Sequence, residues 1–245
     1  MTAKMKYFVV NPGGNITAIV PGIFSVQKRE QIALLVLKKN KRIEQVGFWM
    51  PVKSNKSVAR LEMAGGEFCG NATRSLAALL ARKKPFFLEV SGLPQAVKVR
   101  ALKKRSTVSL PLKGFQLNNG ICRLPGITHI LEPNEVSRTA AKMLLRSSNL
   151  LKEKASGVIG YQKLSSGFYE ITPVVWVRDI STLYAETACA SGTAALAYYF
   201  WKFNGITNLR VKQPSGTIFN TKVKNGLLTV GGPILKISKE TLNIP

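Results

Sequence analysis

Hydrophobic positions along this chain come mostly in short runs rich in Val, Ile and Phe, broken by Gly, Pro and Asn, the pattern of a strand-dominated protein. Residues 7–10 and 16–20 flank Gly13 and Gly14 as a pair of strands. Further strands are predicted at 44–53, 57–63, 86–90, 96–99 and 107–112. In the second half they are predicted at 120–124, 127–132 and 157–161, then in a long strand ending at 173–177, and then at 209–211, 216–223, 227–230 and 234–237. Four segments carry helical spacing instead: 26–39, with Ile32, Leu35 and Leu37, then 69–83, 136–149 and 189–203. Two of these are apolar on nearly every side, through Leu76, Leu79 and Leu80 in one and Leu196, Tyr198, Tyr199 and Phe200 in the other. Neither offers water a polar face, so each must lie inside sheet.

Those two helices also begin alike. Cys69-Gly-Asn-Ala-Thr-Arg-Ser-Leu-Ala and Cys189-Ala-Ser-Gly-Thr-Ala-Ala-Leu-Ala match at the cysteine, at Thr73 and Thr193, at Leu76 and Leu196, and at Ala77 and Ala197. Each half therefore reads as strands, thiol helix, strands, which points to an internal repeat. A thiol at a helix start sits among unpaired N–H groups at the positive end of the dipole, so it is expected to ionise more readily than a free one. The N–H donors near Gly70 and Asn71 and near Ser191 and Gly192 are expected to receive a substrate carboxylate. Two facing thiols imply proton transfer at both sides of one carbon, one as base and the other as acid.

Composition sets the bounds. The 245 residues suffice for one large domain or two smaller ones, and the apolar fraction of 45% is that of an ordinary core. No run approaches the roughly 20 apolar residues of a membrane span, which leads to an expectation of a cytoplasmic protein with no membrane partner. Three cysteines make no disulfide framework, and no Cys/His cluster offers a metal site. The net charge is +24, with 36 Lys and Arg against 12 acids, and Asp179 is the only aspartate. The basic runs at 38–42, 82–84 and 103–105 are scattered and lack interleaved aromatics, so they read as a cationic surface rather than a specific nucleic-acid site.

Met63-Ala-Gly-Gly-Glu-Phe-Cys-Gly-Asn-Ala-Thr-Arg and Glu186-Thr-Ala-Cys-Ala-Ser-Gly-Thr-Ala resemble the two cysteine motifs of the diaminopimelate epimerase fold, a family of pyridoxal-independent two-base racemases and epimerases. Asn11-Pro-Gly-Gly-Asn and Gln213-Pro-Ser-Gly-Thr resemble further turns of that fold, so the likeness spans the chain. Glu44-Gln-Val-Gly-Phe together with Gly66-Glu-Phe-Cys-Gly-Asn-Ala-Thr is most similar to the histidine racemases of staphylopine-type metallophore pathways. The resemblance implies an α+β fold of two β-rich barrel-like domains, each wrapped around a central apolar helix, with the active site in the cleft between them. It places the domains at 1–114 and 115–238, with the tail at 239–245 returning to the first. It implies an isomerase that needs no cofactor, with Cys69 and Cys189 catalytic. By the same resemblance Asn15 and Asn71 orient the substrate amine and carboxylate, Ser191 and Thr193 contribute at the second helix, and Glu44 contacts an imidazole. The Glu-Arg pair with which diaminopimelate epimerase holds the far end of its substrate has no counterpart at Asp179-Ile-Ser-Thr-Leu-Tyr-Ala, which argues against that substrate.

Plainer readings stand beside these. Cys122 has no helix-start context and reads as structural, and His129, the single histidine, reads as a hydrogen-bonded core or interface residue. Glu44 can be a strand-end carboxylate paired to a lysine, and Asn15 a turn former. Glu67 and Glu186, which flank the thiols, read as helix caps ahead of the alternative that they tune the ionisation of the thiols. The rival functions are racemisation of another amino acid, diaminopimelate epimerisation, a basic nucleic-acid-binding module, and a thiol redox protein. The partner expected is a small amino acid; monomer and homodimer are both compatible with the sequence.

Overall fold

A computed structural model of the chain describes residues 3–102 and 104–244. Lys103 of the third basic run and Pro245 of the expected C-terminal return lie outside the described residues. In the first half the strands are β1 (Ala3–Asn11), β2 (Thr17–Pro21), β3 (Gln45–Met50), β4 (Ala59–Met63), β5 (Phe86–Val90), β6 (Val97–Leu102) and β7 (Arg105–Pro111), with helices α1 (Val26–Lys39) and α2 (Gly70–Leu80). The second half contains β8 (Gln116–Asn118), β9 (Ile121–Leu124), β10 (Ile127–Pro133), β11 (Ala155–Ser165), β12 (Phe168–Val177), β13 (Thr182–Ala185), β14 (Arg210–Lys212), β15 (Ile218–Lys224), β16 (Leu227–Pro233) and β17 (Lys236–Ile244), with α3 (Arg138–Ser147) and α4 (Ala190–Asn204).

The repeat expected from the thiol motifs recurs in the strand pairing. An antiparallel β1–β2 pair, a parallel β2–β3 pair bridged by α1, antiparallel β3–β4, and a parallel β4–β5 pair bridged by α2 lead into antiparallel β5–β6–β7. The second half repeats the series: antiparallel β9–β10, parallel β10–β11 across α3, antiparallel β11–β12, parallel β12–β14 across α4, then antiparallel β14–β15–β16. Even the outer strands correspond, since β17 pairs β1 as β8 pairs β9. The last strands of the two series, β7 and β16, pair with each other and join everything into one strand system.

α2 packs against strands β2 to β7 and α4 against β9, β10, β11, β15 and β16, so both are enclosed by sheet as their all-round apolar character requires. Gly70 to Ala77 and Ala190 to Tyr198 are buried without interruption, and one apolar cluster extends from one helix to the other. Among the described residues, no helix is long and apolar enough to cross a membrane.

Differences from the sequence reading are local. The first thiol helix ends at Leu80, not near 83, because Ala81 turns left-handed (φ 43°) and closes it with an N–H to the Ala77 carbonyl. The helix expected at 136–149 runs only from Arg138 to Ser147, with a short 3-10 turn at Leu150–Lys152 after left-handed Asn149. β8 and β13 are additional, and β17 runs on to Ile244, all held by pairing with neighbouring strands rather than by any periodicity of their own.

Candidate active site

Each cysteine is itself the N-cap of its helix. Cys69 and Cys189 hold extended backbone, and each Sγ accepts an N–H three residues on, from Ala72 and from Gly192, at 3.3 Å in both cases. The matched threonines complete the motif: Thr73 and Thr193 each donate a hydroxyl to the carbonyl of their own cysteine at 2.7 Å. This corrects the reading of Glu67 and Glu186 as caps, because sulfur already occupies the capping position. Gln213 then fixes the second cap, its Oε1 receiving the Cys189 N–H at 2.9 Å while its Nε2 donates to the Thr193 hydroxyl.

The two helix starts interlock. A Cβ placed on Gly70 would lie 2.8 Å from the Cβ of Ala190, so only glycine permits this approach. Asn71 donates from Nδ2 to the Ala188 carbonyl at 2.9 Å and accepts at Oδ1 from Arg74 Nη1, tying one thiol turn to the other. Arg74 is fully buried, also donates to the Ser106 and Pro233 carbonyls, and lies over the Phe219 ring. Burial pulls its guanidinium down to about 9. Both ends of the Asn71 amide, expected to hold substrate, thus hold the protein together.

Around the thiols lies a cluster of acids and amides drawn from four distant stretches of chain. Glu186 accepts from Gln45 Nε2 at 2.6 Å and lies within hydrogen-bonding reach of Asn15 and of the Cys189 thiol; burial raises its carboxyl to about 8. Glu67 is likewise raised by burial, to about 7, with the N–H groups of Glu67 and Gly65 opposing in part. Glu44, expected at an imidazole, instead accepts from the Thr187 N–H at 2.9 Å and from the Thr187 hydroxyl, so both its oxygens clamp the loop before Cys189. Asn15, left-handed at φ 50° and 1% exposed, donates its N–H to the Thr187 hydroxyl at 2.7 Å.

Glu44, Gln45, Glu67 and Glu186 line a small, partly open cavity with Met63, Val175 and Tyr184; at about 20 Å³ it has room for about one water molecule, and neither thiol is on its wall. A much larger surface cleft, about 930 Å³, adjoins it through Ala64 and is also lined by neither thiol. Among the described residues no three Cys, His, Asp or Glu side chains converge as a metal site requires.

The expectation of readily ionised thiols is reversed in this closed arrangement. Burial pushes both thiols up, and Glu186 adds to the rise at each; the N–H donors at the helix starts pull the other way and lose. His129 stands beside the second thiol: its Nε2 lies 3.0 Å from Ser191 Oγ, which in turn lies 3.4 Å from Cys189 Sγ. Burial pushes His129 down to about 3, so the ring is neutral. Cys122 is buried on β9, its thiol raised to about 12 by burial alone.

The structure thus gathers Cys69, Cys189, Asn15, Glu44, Gly70, Asn71, Ser191, Gly192 and Thr193 into one region, but the hydroxyl of Thr193 and the side chains of Glu44 and Asn71 serve protein contacts. Sequence reasoning did not assign Gln45, Glu67, Glu186, Arg74 or Gln213 to the site. Adjacency to the thiols was a usable signal for the two glutamates; nothing local marked Gln45.

A sequence model of the histidine racemase CntK N-terminal domain matches residues 4–229. Two similar curated relatives bear the name histidine racemase: one from Fusobacterium nucleatum, 28% identical and covering 94% of each chain, and one from Staphylococcus aureus, 24% identical and covering 89% of this chain and 88% of the other. Among solved structures, a hydroxyproline epimerase from Agrobacterium vitis superposes with a TM-score of 0.69 at 13% identity over 98% of this chain and 92% of the other. A PhzF family protein from Enterococcus faecalis gives 0.64 at 15% over 97% and 99%. At such identities the likeness concerns the fold, a mixed α+β architecture dominated by sheet.

Proposed function

Because the chain belongs to the histidine racemase CntK N-terminal domain family, we propose that it interconverts L- and D-histidine without a cofactor, with Cys69 and Cys189 as acid and base on opposite faces of Cα. The observation that carries this reading is the pair of matched helix starts, each capped by a thiol and pressed together at Gly70 and Ala190. The thiolate of one cysteine removes the α-proton; the thiol of the other delivers a proton to the opposite face and becomes the thiolate, so one turnover inverts the centre and exchanges the roles of the two sulfurs. N–H groups at the two helix starts receive the substrate carboxylate, where charge from the carbanion accumulates. Glu186 lies in reach of the Cys189 thiol, and above about pH 8, where its carboxyl ionises, it accepts the thiol's proton when that sulfur must begin as base.

The cavity, at about 20 Å³, is too small for an amino acid, so the reading includes opening and closing. We divide the chain at 1–114 and 115–238 for that motion, with the part of β17 from residue 239 on carried on the first unit by its pairing with β1. In favour of this division, α2 packs mainly on strands of the first series and α4 on strands of the second, while the helices meet at their starts. Closure removes water and strengthens the fixed dipoles acting on the carbanion.

The test is incubation of L-histidine in deuterium oxide with chiral analysis and no pyridoxal phosphate. Deuterium at Cα with D-histidine appearing is expected, and Cys69→Ala or Cys189→Ala should abolish racemisation. If another amino acid is inverted and histidine is not, the substrate is reassigned; if neither thiol matters, the two-base mechanism fails.

A further inference from the structure

Acceptors dominate the unmet hydrogen-bonding groups at this site, although the Thr182 hydroxyl on the cavity wall and His129 Nδ1 beside the second thiol are unpaired as well. Asn15 Oδ1, Gln45 Oε1 and Glu67 Oε2 are buried without a partner, and all three are acceptors. A buried acceptor left unpaired is costly, so a cluster of them marks a place where donors arrive with a ligand. Glu67 is the member that brings a carboxyl and is committed to the cavity. The residue is only 6% exposed, it lines the small cavity together with Gln45, and its Oε2 sits so close over Gly65 that a Cβ there would approach within 2.8 Å. Ala64-Gly65-Gly66-Glu67 is thus a loop whose glycines let a carboxyl turn inward under β4 and α2.

The other carboxyls are engaged. Glu186 has Gln45, Asn15 and the Cys189 thiol around it, and Glu44 has the Thr187 N–H and hydroxyl. No hydrogen bond to the Cys69 thiol engages Glu67, whereas its nearness to that helix start places it beside the reacting centre. Ala33, Leu37, Val46, Met63, Val175 and Ile180 make most of the remaining wall apolar, with Thr182 and Tyr184 adding hydroxyls. A flat ring with N–H at its edge suits such a space, with apolar contact on its faces and acceptors at its rim.

Resting on the histidine racemase reading, we infer that Glu67 is the specificity-determining residue for the substrate side chain: its carboxyl accepts an imidazole N–H, with Gln45 Oε1 as the second acceptor beside it. An anionic side chain meets the Glu67 carboxyl and Gln45 Oε1 and is disfavoured, and an apolar ring leaves Glu67 Oε2 buried and unpaired.

The test pairs L-histidine with β-(2-thienyl)alanine, a ring of similar size with no N–H. In the unmodified protein, thienylalanine as a competitive inhibitor is expected to bind at least about tenfold more weakly than histidine. Glu67→Gln, which keeps the volume, is expected to raise KM for histidine about tenfold to a hundredfold, with kcat within about threefold and the thienylalanine Ki within about threefold. Glu67→Asp, which keeps the charge, is expected to fall between. Equal binding of both ligands to the unmodified protein overturns the assignment and needs no variant. So does a Glu67→Gln protein that loses kcat rather than affinity, or that weakens both ligands alike. Turnover of an amino acid whose side chain carries no N–H, with histidine ignored, overturns the Glu67 assignment and leaves the racemase reading standing. Absence of α-proton exchange with any amino acid overturns the racemase reading itself.

Discussion

Gly70→Ala is the sharpest probe of the paired helix starts. The new Cβ would stand 2.8 Å from the Cβ of Ala190, with the next atoms, Phe68 Cζ and the Ala190 carbonyl carbon, at 3.6 and 3.7 Å. Carbon atoms rest at about 3.5–4.0 Å, so the two turns must part by about 1 Å at this one contact. Gly70 is the first residue of α2 with an ordinary helical backbone, so no conformational penalty confuses the result. The overpacking itself should cost about 1–3 kcal/mol of stability. The effect on catalysis should be larger, since the displacement separates the two sulfur-bearing turns, and a misplacement of about 1 Å can lower kcat by about 10²-fold. Deuterium exchange at the histidine α-carbon, followed by NMR in both directions, gives the rate, and thermal unfolding gives the stability. Ala190→Gly removes the opposing methyl, so the double variant Gly70→Ala/Ala190→Gly should recover most of the lost rate while Ala190→Gly alone stays near the unmodified protein. A Gly70→Ala protein exchanging at the normal rate, or a double variant no better than the single, would refute the claim that this approach sets the thiol spacing.

Three further outcomes follow from the same geometry. Glu186 has a raised folded-state carboxyl, about 8, so the folded chain retains a proton that the unfolded chain releases above about 4.5; its contribution to stability is full below that point and lost as pH rises toward 8. Thermal melts from pH 5 to 8 should therefore decline more steeply for the unmodified protein than for Glu186→Gln, and parallel curves would contradict the burial of that carboxyl. Ser191→Ala removes the partner of His129 Nε2, and as Nδ1 already lacks one, the imidazole would be left with none; urea denaturation should register a loss of about 1–3 kcal/mol. Glu44 is on the cavity wall but spends both carboxylate oxygens on Thr187, so Glu44→Gln should lower kcat while the ratio of histidine to thienylalanine binding holds within about threefold; a collapse of that ratio would return the imidazole contact to Glu44.

What the sequence decided by itself is what short stretches of chain decide. A cysteine followed by small residues and a threonine four positions on makes a thiol-capped helix start wherever it folds, because the cap, the dipole and the threonine-to-carbonyl bond all close within one turn, and this chain contains it at Cys69 and at Cys189. The all-round apolar character of both helices likewise dictated their enclosure by sheet, and the repeat was legible from wording alone. Only the tertiary structure decided which carboxyl faces the cavity, because Asn15, Gln45, Glu67 and Glu186 meet across long sequence separations and their side chains look equally polar in a string of letters. It also decided the ionisation of the thiols. Capping lowers a thiol locally, whereas burial raises it through every neighbour that excludes water, and those neighbours arrive from β-strands that no window around either cysteine contains. Glu44 and Asn71 went to structural duty for the same reason: their partners, Thr187 and Ala188, belong to the other half of the chain.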